Sequence, residues 1–179
     1  MSELDEAWAL ALAEAEQRAR SAGRGELAEY LSLRNSNDLL RKAGIDWLLS
    51  TFTLLAGEAN RVGASLQIAN QDLHRFKTGN STMVGTLLTL SNGVRQLFVE
   101  AGWPRTPRDG FVRGGGLASA RLRHLGITSA NEELVLARSG SGSPSWFTSN
   151  ENVVRSVLHE ADIRRHIGIL LDVRRSRRH

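Results

Sequence analysis

The spacing of hydrophobic positions changes twice along this chain. From residue 3 to 22, Leu4, Trp8, Leu12, Ala15 and Ala19 recur at three- and four-residue steps among glutamates and arginines, the spacing of an amphipathic helix. Gly23 and Gly25 punctuate that helix, and ELAEYLSLR (26–34) continues in a helical style. Asn35 or Ser36 in the run NSND offers an N-cap for a second helix reaching about Val62. Its apolar side reads Leu40, Ala43, Trp47, Phe52, Leu55, Ala59 and Val62, with Gly44 and Gly57 each weakening it by about 1 kcal/mol relative to alanine. A single kinked helix from 24 to 62, acting as an exposed coiled-coil dimer arm, is the alternative.

Beyond Gly63 the period shortens to two. SLQIA (65–69) alternates as a strand, and DLHRF, with His74, reads as a loop. TMVGTLLTL (82–90) and VRQLFVEAGW (94–103) are rich in β-branched and large apolar residues, and Asn92-Gly93 between them is the residue pair of a type I′ hairpin turn. Pro104 and Pro107 exclude a central strand, so 103–110 is a loop closed by Asp109-Gly110. FVRGGGLASARLRHLGI reads as a strand bulged at Gly114–Gly116, ELVLAR (133–138) as the next, and SWFTS (145–149) as a short last one after the SGSGSP loop. Helical spacing returns from Asn152 to about Asp172, with Asn150 or Asn152 as cap.

Helices, then grouped strands, then a helix predict an α+β domain. Its antiparallel sheet would have five or six strands in meander-like order, with N-terminal helices and a C-terminal helix. The expected organisation is a single domain over 1–173, with 1–24 able to stand apart as a helical arm, and a basic disordered tail over 174–179. Apolar pairs such as Leu87/Leu88 and Leu97/Phe98/Val99 favour coverage of both sheet faces.

Composition narrows the function classes. The 179 residues suit one domain with a substantial core. Zero cysteines exclude a disulfide framework, a thiolate metal site and a cysteine nucleophile. No apolar run is long enough to span a bilayer, and the acidic start MSELDEAWAL lacks the basic region of a secretory signal, so a cytoplasmic location and no membrane are expected. Residues 1–60 hold 6 Lys/Arg against 10 Asp/Glu, and residues 61–179 hold 17 against 9. This asymmetry points to an anionic partner. The excess is almost wholly arginine, 21 against 2 lysines. Codon usage in a GC-rich bacterial genome yields such a bias, and so does selection for bidentate anion binding.

The candidate chemistry is sparse. Gly114-Gly115-Gly116-Leu117-Ala118-Ser119 fails the dinucleotide fingerprint, since serine replaces the third glycine and a strand follows. Gly116-Leu117 stand where a phosphate-cradling loop needs lysine and a hydroxyl, so the glycines read as a bulge. Arg105, Arg108 and Arg113 flank the loop, and Arg121 and Arg123 share one strand face with Ser119, while Ala118, Ala120, Leu122 and His124 point the other way. These five arginines are the candidate anion site. The competing reading pairs them with Glu100, Glu132 or Glu133 on a solvent-facing strand. Trp103, Phe111 and Trp146 are available as stacking surfaces. His74, near Asp72, and His124 are candidate proton-transfer groups. No catalytic nucleophile can be placed and no cofactor is expected. His159 and His166 are seven residues apart, too far along a helix for one metal, so no metal site is expected. These features indicate a binding or regulatory module for an anionic ligand or nucleic acid at 105–123, self-associating as a homo-oligomer through its N-terminal helices. An enzyme holding an anionic substrate with arginines and a structural assembly protein are the alternatives.

Overall fold

The computed structural model describes residues 3–149 and 156–172. It contains α1 (Glu3–Ser21), α2 (Gly25–Arg61), six strands and a last helix, α3 (Glu160–Leu170). The strands are β1 (Gln67–Thr78), β2 (Ser81–Asn92), β3 (Arg95–Trp103), β4 (Ala118–His124), β5 (Glu132–Arg138) and β6 (Pro144–Thr148). They form one antiparallel sheet in the order β1-β2-β3-β4-β5-β6, so the α+β meander expected from the sequence is the observed fold. No helix among the described residues is long and apolar enough to cross a membrane. The chain divides into two compact units, residues 1–43 and residues 44 onward.

In the first unit, α1 ends in a Schellman-type cap: Gly23 takes φ +72° and the Arg24 N–H donates to the Ala19 carbonyl at 2.9 Å. Trp8 Nε1 donates to Asp38 at 3.0 Å and lies under the Arg34 guanidinium, with Leu12, Ala19 and Ala28 buried. Leu4 and Trp8 of the apolar stripe are exposed by 54% and 40%.

Gly25–Arg61 is one helix of 37 residues, as in the single-helix alternative over 24–62, and the break at Asn35–Ser36 is absent. Both residues sit inside the helix, where a capping preference is a weak local bias. Its core-facing side also differs from the sequence reading. Ile45, Leu48, Phe52, Leu55 and Ala56 are buried, whereas Trp47 and Val62 face outward.

The second unit packs that half of α2, together with Ile163, Ile167 and Leu170 of α3, on one face of the sheet. This covered face carries Leu88, Leu90, Leu97, Val99, Ala101, Ala120, Leu122, Leu134, Leu136 and Trp146, all buried. Gly44 marks the closest approach: a Cβ there would overlap the Leu136 side chain, so the glycine that weakens the helix locally is required by tertiary packing. The opposite face holds a smaller cluster of Phe76, Met83, Val112 and Val135.

Several boundaries differ from expectation for identifiable reasons. The β2–β3 turn is centred on Gly93-Val94, since Asn92 pairs with Arg95, and Gly93 has φ +62°. A positive φ at the first central position is the type II′ pattern, one residue on from the expected Asn-Gly. The glycine run forms a 3₁₀ turn at Arg113–Gly115 ahead of β4, with Gly114 and Gly115 at positive φ, and is not a bulge within the strand. Helix α3 begins only at Glu160, where the His159 N–H donates to Asp162 at 2.8 Å, because Val157 is held in an extended bridge to Phe147. The expected caps Asn150 and Asn152 and the basic tail 174–179 lie outside the described residues.

Candidate functional site

Strand β1 sets up the first group of polar residues. Asp72 and Leu73 together oppose the single residue Thr86 of β2, and Leu73 has φ +56°. Such a bulge inserts one residue and reverses the inside–outside phase of everything beyond it. His74 is therefore a strand residue, not the loop residue expected, and it faces the same side as Glu100, Arg121 and Arg123. Gly85 and Gly102 pair between them, and a Cβ on either would overlap the other strand's backbone. The absence of side chains at this crossing leaves room for the His74 ring to reach across β2 to β3.

Glu100 is the centre of this group. It is only 3% exposed, yet its carboxylate accepts from His74 Nε2 at 2.8 Å and from Arg123 Nε and Nη2 at 3.0 and 3.3 Å, with Arg121 Nε at 3.9 Å. Arg121 also donates to the Lys77 carbonyl at 2.8 Å, and Arg123 covers the Phe98 ring. Burial by itself raises the Glu100 carboxyl. The hydrogen bonds from His74 and Arg123 and the charges of Arg123 and Arg121 outweigh it and hold the group below the usual carboxylate range. An ionised carboxylate only accepts, so the His74 proton sits on Nε2.

Of the five candidate arginines, the structure brings Arg121 and Arg123 together, on Glu100. The competing expectation that carboxylates pair with them describes these two. Arg105 lies apart. It stacks 3.6 Å from the Trp103 ring centroid and donates to the Val84 carbonyl. Arg108 and Arg113 are exposed and make no ion pair among the described residues. Their loop is fixed by Asp109, whose carboxylate accepts from the Arg105 and Thr106 N–H groups at 3.2 and 3.1 Å and pairs with Arg75 at 3.2 Å. The Phe111 N–H donates to Ser81 Oγ at 3.1 Å, and the residue, between Arg108 and Arg113 in the sequence, is 82% exposed. Trp103 and Trp146, the other expected stacking surfaces, are buried.

His124 lies on the covered face, separated by the sheet from His74 and the arginines. Its Nε2 is 2.9 Å from Nδ1 of His166 on α3, and both rings are buried. His166 Nε2 stands 3.5 Å from Glu132, which Arg165 binds at 2.7 Å. Burial, then the charges of His166 and Arg165, push His124 down to about 4 against a smaller opposing pull from Glu132. His159 caps the start of α3 in water while His166 is buried, so the two share no face, and no group of metal-ligating side chains occurs among the described residues. Sequence reasoning missed Glu100, His166 and Glu132 as centres. Glu100 carried one signal, a lone acid within an apolar strand.

Replacing Glu100 by glutamine is expected to destabilise the fold by about 2 kcal/mol, since a neutral amide cannot accept from three cationic or ring donors at once. The loss stays below the 3–5 kcal/mol of a fully buried pair because the Arg121 and Arg123 side chains keep 30% and 38% of their surface in water. Urea-unfolding midpoints of the wild type and E100Q measure it.

The chain matches no protein-family model, no curated protein and no solved structure.

Proposed function

We propose that this chain is a non-enzymatic binding module that holds a single-stranded nucleic acid on the loop between β3 and β4. The observation that carries the reading is Phe111, a residue 82% exposed that lies in the loop between Arg108 and Arg113, two exposed arginines without ion pairs among the described residues. An exposed aromatic side chain beside cations is the minimal platform on which a base stacks while neighbouring guanidinium groups meet phosphates. Asp109 supports the platform by fixing the loop before binding, which lowers the ordering cost. Arg75 and Lys77, on the adjacent end of β1, add positive charge.

A binding role accounts for the arginines better than an enzyme does. Glu100 already engages Arg121 and Arg123, which leaves them ill suited to clamp an anionic substrate. His124 lies on the opposite face of the sheet from Arg121 and Arg123.

Fluorescence anisotropy with a labelled single-stranded oligonucleotide tests the reading. Binding at low salt should weaken linearly in log K against log salt. F111A should weaken it about tenfold, the worth of one stacked base. R108A and R113A should each reduce the salt slope by about one. Absence of binding at low salt, or an F111A variant that binds as the wild type does, defeats it.

A further inference from the structure

We propose that the outward face of α2 is the seam of a homodimer, in which a second copy of the chain lies antiparallel along it. Leu33, Leu40, Trp47 and Leu54 follow one another at seven-residue steps, and Ser36, Ala43, Ser50 and Gly57 follow each of them by three. These are the a and d positions of a heptad repeat. The stripe faces away from the buried residues of α2, with Leu33, Trp47 and Leu54 exposed by 58%, 44% and 58% and Leu39 exposed beside them. Leu33 and Leu40 belong to the first unit, Trp47 and Leu54 to the second, so each part of the helix carries its own share.

Of the stripe's two serines, Ser50 turns its hydroxyl inward, and two threonines outside the stripe do the same. Ser50 Oγ donates to the Asp46 carbonyl, and Thr51 and Thr53 donate to the Trp47 and Leu49 carbonyls at 2.6 and 2.8 Å. Back-bonded in this way, they present carbon to the outside and need no water. A row of large apolar and small residues with no charge at its a and d positions is costly to leave in water.

The alternation of large and small side chains selects the occupant and its direction. In a parallel pair like layers meet like, so Trp47 would stack on Trp47 while Ala43 and Ser50 layers were left as gaps. In an antiparallel pair each a residue faces a d residue of the other copy. The register of fullest overlap then sets Leu33 over Gly57, Leu40 over Ser50, Trp47 over Ala43 and Leu54 over Ser36. A two-fold axis repeats every one of these contacts, so the surface is complementary to itself, as a closed homodimer requires. A heterologous partner would need the same alternation independently.

Light scattering on the full chain at tens of micromolar should return twice its 19.7 kDa mass. L54E and A43E, both on the solvent side of the helix, should return the monomer mass with unchanged helical circular dichroism. L10E, on α1, should leave the dimer intact. Direction is read by a nitroxide on Y30C, the sole cysteine in an otherwise cysteine-free chain. Antiparallel packing places the two labels about 45 Å apart at 1.5 Å rise per residue. A monomeric wild type, a dimer that survives both L54E and A43E, or a label separation near 10 Å each overturns the proposal. None of these readings depends on nucleic-acid binding by the β3–β4 loop.

Discussion

Replacing Trp146 by alanine is expected to lower the unfolding free energy by about 4 kcal/mol, the middle of the range for deleting a large aromatic from a core. Trp146 is 2% exposed and pairs with Leu136 across β5 and β6 on the covered face. Its Nε1 donates to the Gly44 carbonyl of α2 at 2.8 Å. Removal of the indole leaves a cavity where α2 meets the sheet and withdraws a donor from that buried contact. The backbone around it limits collapse, because Leu158 donates to the Trp146 carbonyl at 2.8 Å and Gly44 already touches the Leu136 side chain. W146F should lose only about 1–2 kcal/mol, since it keeps most of the packing and drops the hydrogen bond. Urea unfolding followed by far-ultraviolet circular dichroism separates the two. Similar losses for both variants would place the stability in the hydrogen bond and not in the packing.

Acidification is expected to cost about 3 kcal/mol between pH 6.5 and 4, at about 1.4 kcal/mol per pH unit. The cause is His124, held down to about 4 by burial and by the charges of His166 and Arg165. Its 2.9 Å contact with His166 needs one N–H and one lone pair, so two imidazolium rings cannot make it. In the unfolded chain His124 takes a proton as pH falls through about 6.5, while in the fold it stays neutral until about 4. The unfolded state binds more protons across that window, so stability is complete above 6.5 and falls as the pH drops toward 4. Glu132 acts lower. The contact with His166, against burial, and the bond from Arg165 draw it down to about 2, so its contribution is present above about 4.5 and is lost below that. Urea midpoints at several pH values should therefore decline between 6.5 and 4 in the wild type. H124L should be less stable at pH 7.5 and much flatter across the window. An equal slope in both proteins would assign the acid sensitivity to another group.

Trp146 is legible in the sequence only as an aromatic residue in a short strand, and its burial is decided by the helix packed over it. The donor–acceptor pair with Gly44, 102 residues away, is not legible there. His124 is legible as the inward member of its strand, whereas His166 meets it only because α3 packs on that face of the sheet and buries that ring. The long helix shows the reverse case. Local capping residues at Asn35 and Ser36 suggested a break, and the chain takes the single-helix alternative instead.

What the chain determines locally is the order of its elements, the antiparallel meander and the side of each residue within a regular strand. Period-two alternation placed Arg121 and Arg123 on one face of β4 and His124 on the other, and both assignments stand. Tertiary structure decided which groups meet. The extra residue at Asp72-Leu73 turned His74 toward Glu100, and the pairing of Gly85 with Gly102 cleared the way between them. The physical reason is one of range: alternation is enforced by the neighbouring peptide units, whereas a bulge, a glycine crossing or a buried ion cluster is stabilised by residues distant in sequence, whose contribution no local pattern records.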